Sequence, residues 1–523
     1  MRTLNFPTAF GLVTLSGCLW FLSVTPFDLA PLAWIASVPM LLAIDRTPSY
    51  RRALFLGWWA GVVESGGGFY WLIDVQQRFA EFPWIAAAAV FFAFCAARAL
   101  IFLVFTAIVC AIRRWRPLPM ALLAPLAMVC GEILVPQIFP CGQWISQAWQ
   151  PLVIQISEFT GAYGVTALLM MVNGALFDLL RDKASARVPA ACALGVLVAC
   201  LAFGALRMKQ VDAQMAQAPK LSIGLVQPNV GYSVSGTDSR EEILRQLHGL
   251  QTQSERLQKA GAQLILWSEG AYPIAMERDR DTDYPEGSLA MIRRGFDIPS
   301  IIGAVTLTAN DDAYNSALLL DEKGRFTGRY DKVELLAFGE YVPGVQTFPW
   351  LRKLLPDGAG RFTPGAGPAL LNFKAKSGMS WQLAPVICYE DILQDYLSGV
   401  GRLHPNLLVN LTSDSWFGAD TEPYEHLALS VFASVELRTS MVRAVNSGIS
   451  ALVDANGRVV VKTYADDPYR HPRPADGVLV TAPMMAASHT VFDLVGNSFA
   501  YLCALAALIL AGRAGFMLRR NKA

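Results

Sequence analysis

The N-terminal part of the chain alternates between long apolar stretches and short breaks that are charged or rich in proline. A helix needs about 20 apolar residues to cross a bilayer, and several stretches reach or approach that length. They occupy residues 8–24, 27–44, 53–73, 84–112, 118–139, 153–180 and 188–206, and one more follows at 495–513. The pattern predicts a polytopic helical membrane domain with seven spans before residue 207 and an eighth near the end of the chain.

Lysine and arginine are distributed unevenly between the connections of these spans. One alternate set of connections holds only Arg78, Arg207 and Lys209. The other set and the two ends hold Arg2, Arg46, Arg51, Arg52, Arg113, Arg114, Arg116, Arg181, Lys183, Arg187, Arg519, Arg520 and Lys522. Because positive charge collects on the cytoplasmic side, we expect both termini in the cytoplasm. Residues 207–494 would then lie on the opposite side, which in a bacterium is the periplasm.

From about Leu221 the pattern changes to short β-type runs that alternate with polar helical stretches. The predicted strands are 221–226, 264–267, 300–305, 316–320, 383–387 and 407–411, with more strands in 441–461 around a turn at 455–457. The predicted helices are 241–259 and 424–437, whereas 466–476 is expected to be a loop and 484–493 a linker. This alternation predicts a layered α/β domain whose chemistry lies at strand ends.

Composition agrees with a protein that lies partly in lipid. Of the 523 residues, 54% are hydrophobic and 16% are charged, whereas about a quarter is usual for soluble domains. The net charge of +1 gives no reason to expect nucleic-acid binding. Eight of the nine cysteines lie in or beside apolar spans, so Cys388 has no disulfide partner within the α/β region. Three ionisable residues fall within predicted spans, Glu64, Arg98 and Glu132, where either pairing inside the bundle or contact with a lipid headgroup would explain them.

Cys388 follows an apolar run and precedes an acidic pair, which is typical of a turn from a strand into a helix. A helix dipole favours a thiolate at that position, so Cys388 is a candidate nucleophile. The alternative is a small buried hydrophobic residue.

A thiol nucleophile needs a base and a group that stabilises an oxyanion. Among the histidines, none of which have metal-ligand spacing, His426 is the one near a dense polar stretch, and a Cys–His pair stays open. Glu269, at the end of a predicted strand, and Lys332 are the other candidates for these roles, although each also fits an ordinary strand-end or loop charge.

Three segments together resemble the nitrilase superfamily, whose signature is a Glu–Lys–Cys triad in that order. They are Trp267–Glu269, Tyr330–Lys332 with Phe338–Glu340, and Ile387–Glu390; further similarity lies at Asn315-Ser316, 362–365, 410–418 and 443–448. With seven predicted spans before these segments and one after them, the whole chain resembles the apolipoprotein N-acyltransferases.

The resemblance implies an α/β fold, a nitrilase-like α-β-β-α sandwich inserted between helices 7 and 8 of a polytopic α-helical membrane domain. The corresponding domains are a membrane domain at 1–206, a periplasmic catalytic domain at 207–490, and the eighth span with a cytoplasmic tail at 491–523. The protein would reside in the bacterial inner membrane.

The resemblance also implies roles for individual residues. Cys388 would take an acyl chain from a phospholipid, typically phosphatidylethanolamine, with Glu269 as base and Lys332 stabilising the oxyanion. The acceptor would be the N-terminal amine of a diacylglyceryl-modified apolipoprotein, and neither a metal nor an organic cofactor is implied. Supporting or substrate-pocket positions would be Glu340, Tyr389, Glu390 and Trp416.

The chain departs from the usual family pattern at 335–337, at 413–415 and in 423–436, where Glu425-His426 replaces a typical Gln-His. These departures affect the expected lipid preference and loop closure and leave the triad intact.

Two other functional classes stay open: a membrane-bound nitrilase-type amidohydrolase that uses water as acceptor, and a transporter or receptor with a non-catalytic periplasmic domain.

Overall fold

The computed structural model describes residues 3–79, 81–230, 239–337, 339–341, 344, 347–348, 350, 362–417, 421–464, 475–486 and 489–520. Of the residues singled out above, Arg2, Phe338, Gly418, Lys522 and the side chain of Trp416 lie outside this description. So do residues 466–474 of the predicted loop and residues 487–488 of the predicted linker. The chain divides into two compact units, one of residues 1–73, 82–209 and 495–523, and the other of residues 74–81 and 210–494.

The helices are α1 Phe6–Leu22, α2 Val38–Asp45, α3 Tyr50–Gly68, α4 Leu72–Phe79, α5 Trp84–Arg98, α6 Leu100–Trp115, α7 Met120–Leu134, α8 Pro151–Ile154, α9 Ser157–Thr160, α10 Tyr163–Arg181, α11 Lys183–Gln217, α12 Arg240–Lys259, α13 Gln394–Gly401, α14 Glu422–Leu437, α15 Val491–Val495 and α16 Ser498–Arg520. The strands are β1 Lys220–Gln227, β2 Leu264–Trp267, β3 Tyr272–Glu277, β4 Ser300–Leu307, β5 Ala313–Leu320, β6 Phe326–Asp331, β7 Leu371–Lys374, β8 Ser380–Ile387, β9 Leu407–Ser413, β10 Met441–Asn446, β11 Ala451–Val453, β12 Val459–Lys462 and β13 Asp476–Pro483.

Within the described ranges, four helical runs are long and apolar enough to cross a membrane. They are Trp84–Trp115, Tyr163–Arg181, Lys183–Gln217 and Ser498–Arg520; shorter apolar helical runs lie at Phe6–Leu22, Ala30–Asp45 and Met120–Leu134. The helical character of the N-terminal part is therefore confirmed, whereas the count of eight crossings stays a prediction.

Several of the predicted spans are interrupted, and in two of them proline or glycine lies at the break. The stretch 27–44 forms a 3-10 helix at Ala30–Trp34 and then the short α2, each with a proline in its first turn. The stretch 153–180 becomes one long helix only from Tyr163, because Gly161 adopts a positive φ of 62° and ends α9. The hydropathy pattern indicates that both stretches are apolar, but it does not reveal these breaks in the backbone.

Helices of the first unit approach one another closely at glycines. A Cβ added at Gly174 of α10 would lie 2.3 Å from the carbonyl oxygen of Met120, where α7 begins. A Cβ at Gly57 of α3 would lie 2.0 Å from the hydroxyl of Thr106 on α6. Small residues that let backbones approach are a common packing device between membrane helices.

The second unit is an α/β domain with two sheets among its described residues, which confirms the predicted fold class at this level. One sheet has the order β13-β1-β2-β4-β5-β6 with β3 beside β4, and the other has the order β12-β11-β10-β9-β8-β7. The side chain of Gln227, at the end of β1, donates from Nε2 to the carbonyl of Gly448 (2.6 Å) and so joins the two sheets. Parallel pairing of β1 with β2 and of β8 with β9 brings their carboxyl ends to the same edge of each sheet.

Helix α12 covers the first sheet through an apolar face. Leu247, Leu250 and Leu257 pack with Ile265 and Trp267 in a buried cluster. The indole of Trp267 also donates to the hydroxyl of Ser254 on α12 (2.8 Å), so the last residue of β2 is held by both packing and a hydrogen bond. This contact fixes the strand end that leads into Glu269.

The structure contains elements that the sequence pattern did not predict, namely β3, β6, β7, β13, α4, α13 and α15. Helix α15 begins at Val491, so the prediction of a linker was wrong for the last residues of 484–493. Strands β3, β6 and β7 each expose part of one face, and β13 is only partly buried along its first half. Partly exposed strands have a weaker apolar signature than the central strands, because only one of their faces is buried.

Candidate active site

Cys388 lies at a sharp turn between β8 and a short 3-10 helix at Cys388–Ile392. Its φ is 56°, a left-handed conformation that is uncommon for a residue with a side chain. The backbone at this turn is fixed by Asn410 of β9, whose amide donates to the Cys388 carbonyl (3.0 Å). Strain of this kind persists only where surrounding contacts hold it, and it is frequent at active sites.

Lys332 directly follows β6, and its ammonium lies between two carboxylates. The Nζ atom is 2.8 Å from Oε2 of Glu340 and 3.2 Å from Oε1 of Glu269. Only 1% of the Lys332 side chain is exposed, so these carboxylates replace the water that the charge has lost. A charge buried this deeply requires such partners.

Glu269 is held by three donors. Its Oε1 accepts from Lys332 and from Nδ2 of Asn315 (2.7 Å), and its Oε2 accepts from the backbone N–H of Ser413 (3.0 Å). Asn315 also donates to Oε1 of Glu340 (3.1 Å), so a single amide orients both carboxylates. The sequence analysis gave no role to Asn315 or Ser413. The signal available for Asn315 was its place in the segment Asn315-Ser316, which resembles the nitrilase superfamily.

Glu390 connects the turn at Cys388 with the segment after Lys332. Its Oε1 accepts from the backbone N–H groups of Val333 (2.7 Å) and Glu334 (3.0 Å). Its Oε2 accepts from the Ile387 N–H (2.6 Å) and from the Tyr330 hydroxyl (2.6 Å). Glu390 is completely buried, so it acts on the positions of Lys332 and Cys388 through these contacts.

Tyr389 adds a second connection between the same two segments. Its hydroxyl donates to the carbonyl of Leu335 (2.8 Å), and the Lys332 ammonium lies 5.6 Å from the centre of its ring. The tyrosine therefore lies against the cluster, and its expected role in the substrate pocket stays a prediction.

Burial and neighbouring charges shift the pKa values of the three central groups. Burial raises the pKa of Glu269, which makes this carboxylate a stronger base than an exposed one. Burial and the Glu269 carboxylate raise the pKa of the Cys388 thiol well above 9.0, against the opposing effect of Lys332. Burial lowers the pKa of Lys332, but Cys388, Glu269 and Glu340 outweigh it and raise that pKa well above 10.5.

The raised thiol pKa differs from the expectation that a helix dipole would favour the thiolate. The 3-10 helix after Cys388 has only five residues, and the thiol is buried beside a carboxylate. The resting group is therefore a thiol that must lose its proton to a base, and Glu269 is the carboxylate whose charge acts on it most strongly.

His426 is not placed as a base for Cys388. Its Nδ1 lies 3.0 Å from Asp414 and its Nε2 lies 3.1 Å from Asp391, so both ring nitrogens are engaged with carboxylates. Two groups in the described part of the chain bring three possible metal ligands within 4.8 Å, Asp414 with Glu422 and His426, and His404 with His489 and Asp493. Neither group includes Glu269, Lys332 or Cys388.

The backbone at Ser268 and Glu269 lies so close to β4 that only glycine fits at position 303. A Cβ at Gly303 of β4 would lie 2.1 Å from the carbonyl oxygen of Ser268 and 2.8 Å from Cα of Glu269. If Cys388 is acylated as the family resemblance implies, we expect Gly303→Ala to displace Glu269 and to slow that acylation by roughly 100-fold, the usual effect of a misplacement of about 1 Å.

The rate is measured by intact-mass spectrometry in a single turnover. Gly249→Ala is the matched control, because an added Cβ there meets nothing within 4 Å. Equal acylation rates for the two variants would contradict this account of Gly303.

Two protein-family models match this chain, one in each of its two parts. A family model described as apolipoprotein N-acyltransferase N-terminal domain matches residues 16–175, and one described as carbon-nitrogen hydrolase matches residues 223–467. The second match covers β2, β6 and β8, so the α/β domain has a nitrilase-like fold. A carbon-nitrogen hydrolase structure from Helicobacter pylori aligns with 51% of this chain and with 89% of its own chain, at 13% sequence identity and a TM-score of 0.36. The assignment of the fold does not rest on this alignment.

Relatives match along almost the full length. An apolipoprotein N-acyltransferase of Geobacter metallireducens is 30% identical over 518 residues, which is 96% of this chain and 94% of the relative. One of Brucella melitensis is 30% identical over 522 residues, which is 91% of this chain and 94% of the relative. The chain belongs to the apolipoprotein N-acyltransferase family.

Proposed function

We propose that this enzyme transfers an acyl chain from a membrane phospholipid to the N-terminal amine of a diacylglyceryl-modified apolipoprotein, the final step of bacterial lipoprotein maturation. The observation that carries the proposal is the buried Lys332 ammonium between Glu269 and Glu340, next to a strained cysteine turn, in a member of this family. Phosphatidylethanolamine is the donor that the family resemblance favours.

In the first half of the reaction, Glu269 takes the proton of the Cys388 thiol as sulfur attacks the ester carbonyl carbon. The new C–S bond places negative charge on the carbonyl oxygen, and Lys332 stabilises that charge. When the C–O bond breaks, the leaving alkoxide receives the proton from Glu269. The products are a thioester on Cys388 and a lysophospholipid.

In the second half, the amine of the acceptor attacks the thioester carbonyl while Glu269 takes an amine proton. Collapse of the tetrahedral intermediate breaks the C–S bond, and the sulfur recovers its proton from Glu269. The acyl chain is then an amide on the acceptor. Water must be excluded between the two halves, and Cys388 is only 8% exposed.

Glu340, Tyr389 and Glu390 hold Lys332 and the turn in place, and Trp416 is proposed as a substrate-pocket residue. The membrane arrangement is part of the same proposal: seven spans within 1–206, a periplasmic catalytic domain at 207–490, and an eighth span within 491–523, in the inner membrane with both termini cytoplasmic. The distribution of lysine and arginine supports this orientation.

The raised pKa of Glu269 predicts the pH dependence of acylation. Glu269 must be deprotonated to act as base, so the rate falls as pH drops through a value above the ordinary 4.5. Lys332 stays an ammonium through neutral and mildly alkaline pH, because its pKa is raised well above 10.5. The fall of the rate at low pH is the acidic limb of the pH–rate profile, and single-turnover acylation rates measured from pH 4 to 9 show this limb directly.

Glu390 also titrates in this range, since burial raises its pKa to about 7 against the hydrogen bonds it accepts. Two variants separate the carboxylates. Glu390→Gln should keep the limb that belongs to Glu269. In the Glu390→Gln background, Glu269→Gln should lose the limb together with roughly 100-fold or more of the rate, the contribution typical of a general base. Persistence of the limb in this double variant would exclude Glu269 as base.

The transfer itself is tested with phosphatidylethanolamine that carries a labelled acyl chain and a diacylglyceryl lipopeptide with a free N-terminal cysteine. We expect the label to appear as an amide on the lipopeptide, and neither the Cys388→Ser protein nor an N-acetylated lipopeptide should give that product. Labelled free fatty acid as the sole product would favour the amidohydrolase-like use of water. Transfer that survives in Cys388→Ser would contradict the proposal.

A further inference from the structure

A chain of buried charges lies behind the Cys388 turn, and the proposed reaction does not use it. Arg443 of β10 forms an ion pair with Asp391, which in turn contacts Nε2 of His426. The other ring nitrogen of His426 contacts Asp414. Arg443 and Asp391 have no exposed side-chain surface, Asp414 has 1%, and His426 has 5%.

The geometry indicates that His426 is an imidazolium. Both ring nitrogens face carboxylate oxygens, which only accept, at 3.0 and 3.1 Å, so both nitrogens must donate. Burial and Arg443 lower the pKa of His426, but Asp391 and Asp414 outweigh them and raise it to about 10.

A protonated ring also suits the two buried aspartates that it faces. Arg443 and His426 then lie against Asp391 and Asp414, and burial and Asp414 raise the pKa of the neighbouring Glu422 well above 4.5. A neutral ring would leave one buried carboxylate uncompensated, which is costly.

The two aspartates belong to the segments that carry the nucleophile and the base. Asp391 lies in the same 3-10 helix as Cys388, immediately after Glu390. Asp414 immediately follows Ser413, whose N–H holds Oε2 of Glu269 (3.0 Å). Because β8 and β9 are parallel neighbours, these segments leave adjacent strand ends and have no backbone ladder beyond that point.

We propose that His426 is a positioning residue for the acylation of Cys388. As an imidazolium it bridges Asp391 and Asp414 and so fixes the thiol relative to the Glu269 carboxylate. This inference rests on the proposed function.

A bound cation is the competing occupant of this cluster, since Asp414, Glu422 and His426 offer ligand atoms within 4.8 Å of one another. A metal would require a ring nitrogen without its proton, and both ring nitrogens are already at hydrogen-bond distance from aspartate oxygens. Metal analysis of the purified protein therefore belongs to the test.

The test uses His426→Gln in the full-length purified protein, because a single amide nitrogen cannot reach both aspartates from opposite sides. We expect a roughly 10- to 100-fold lower single-turnover acylation rate with little change in the KM for phosphatidylethanolamine, as for a reacting group that is misplaced. Asp454→Asn is the matched control, because it removes another ion pair of the same domain, Asp454 with Arg458 (2.9 Å), in the turn between β11 and β12. The control should keep the wild-type rate at a similar loss of thermal midpoint.

A second readout does not depend on activity. In protein labelled with ring ¹⁵N-histidine, one of the five histidines should keep both ring nitrogens protonated at pH 8.5, and this signal should be absent from His426→Gln. If His426→Gln does not fold, Asp414→Asn replaces it and should lower the rate in the same direction.

A neutral His426 ring, a stoichiometric bound metal, or a variant rate equal to that of the control would each overturn the inference. Failure of the wild-type protein to form an acyl-enzyme would instead overturn the proposed function, while the protonation state of His426 would still be measured.

Discussion

The rest of the site depends on the burial of the Lys332 ammonium. An ammonium with 1% of its side chain exposed is stable only beside compensating charge, and Glu269 and Glu340 supply it at 3.2 and 2.8 Å. Removal of one partner of a buried ion pair typically costs about 3–5 kcal/mol. Glu269 and Lys332 are therefore mutually dependent, and Asn315 orients Glu269 and Glu340 by donating to both carboxylates.

The same electrostatics determine how the nucleophile is used. Burial and Glu269 keep Cys388 protonated at rest. The thiol therefore becomes a nucleophile only when its proton moves to another group of the cluster. That arrangement suits an enzyme that must hold a thioester away from water until an amine enters. Glu390 connects the cysteine turn to the backbone after Lys332 through two hydrogen bonds, which it accepts from the N–H groups of Val333 and Glu334, and it thus couples the positions of Cys388 and Lys332.

The central strands and the amphipathic helix could be predicted from the sequence, because Leu264–Trp267 and 241–259 have strong and uniform patterns that match β2 and α12. Edge elements such as β6 and β13 were missed. Strand β13 forms by pairing with the distant β1, whereas β6 pairs with its chain neighbour β5 but consists largely of polar or half-exposed residues. The motif residues Glu269, Lys332 and Cys388 were identified by their resemblance to a known family. The contacts of Asn315 and of the Ser413 N–H could not be predicted, because they arise from pairing between segments far apart in the chain, and the effect of burial on the thiol pKa outweighed the dipole argument.

The central claim is that Cys388 carries the acyl chain between donor and acceptor. Intact-mass spectrometry after incubation with phosphatidylethanolamine, without acceptor, tests it most directly. We expect Cys388 to gain one acyl mass, which hydroxylamine removes and which disappears when a diacylglyceryl lipopeptide is added. An active preparation in which Cys388 never gains this mass would contradict it.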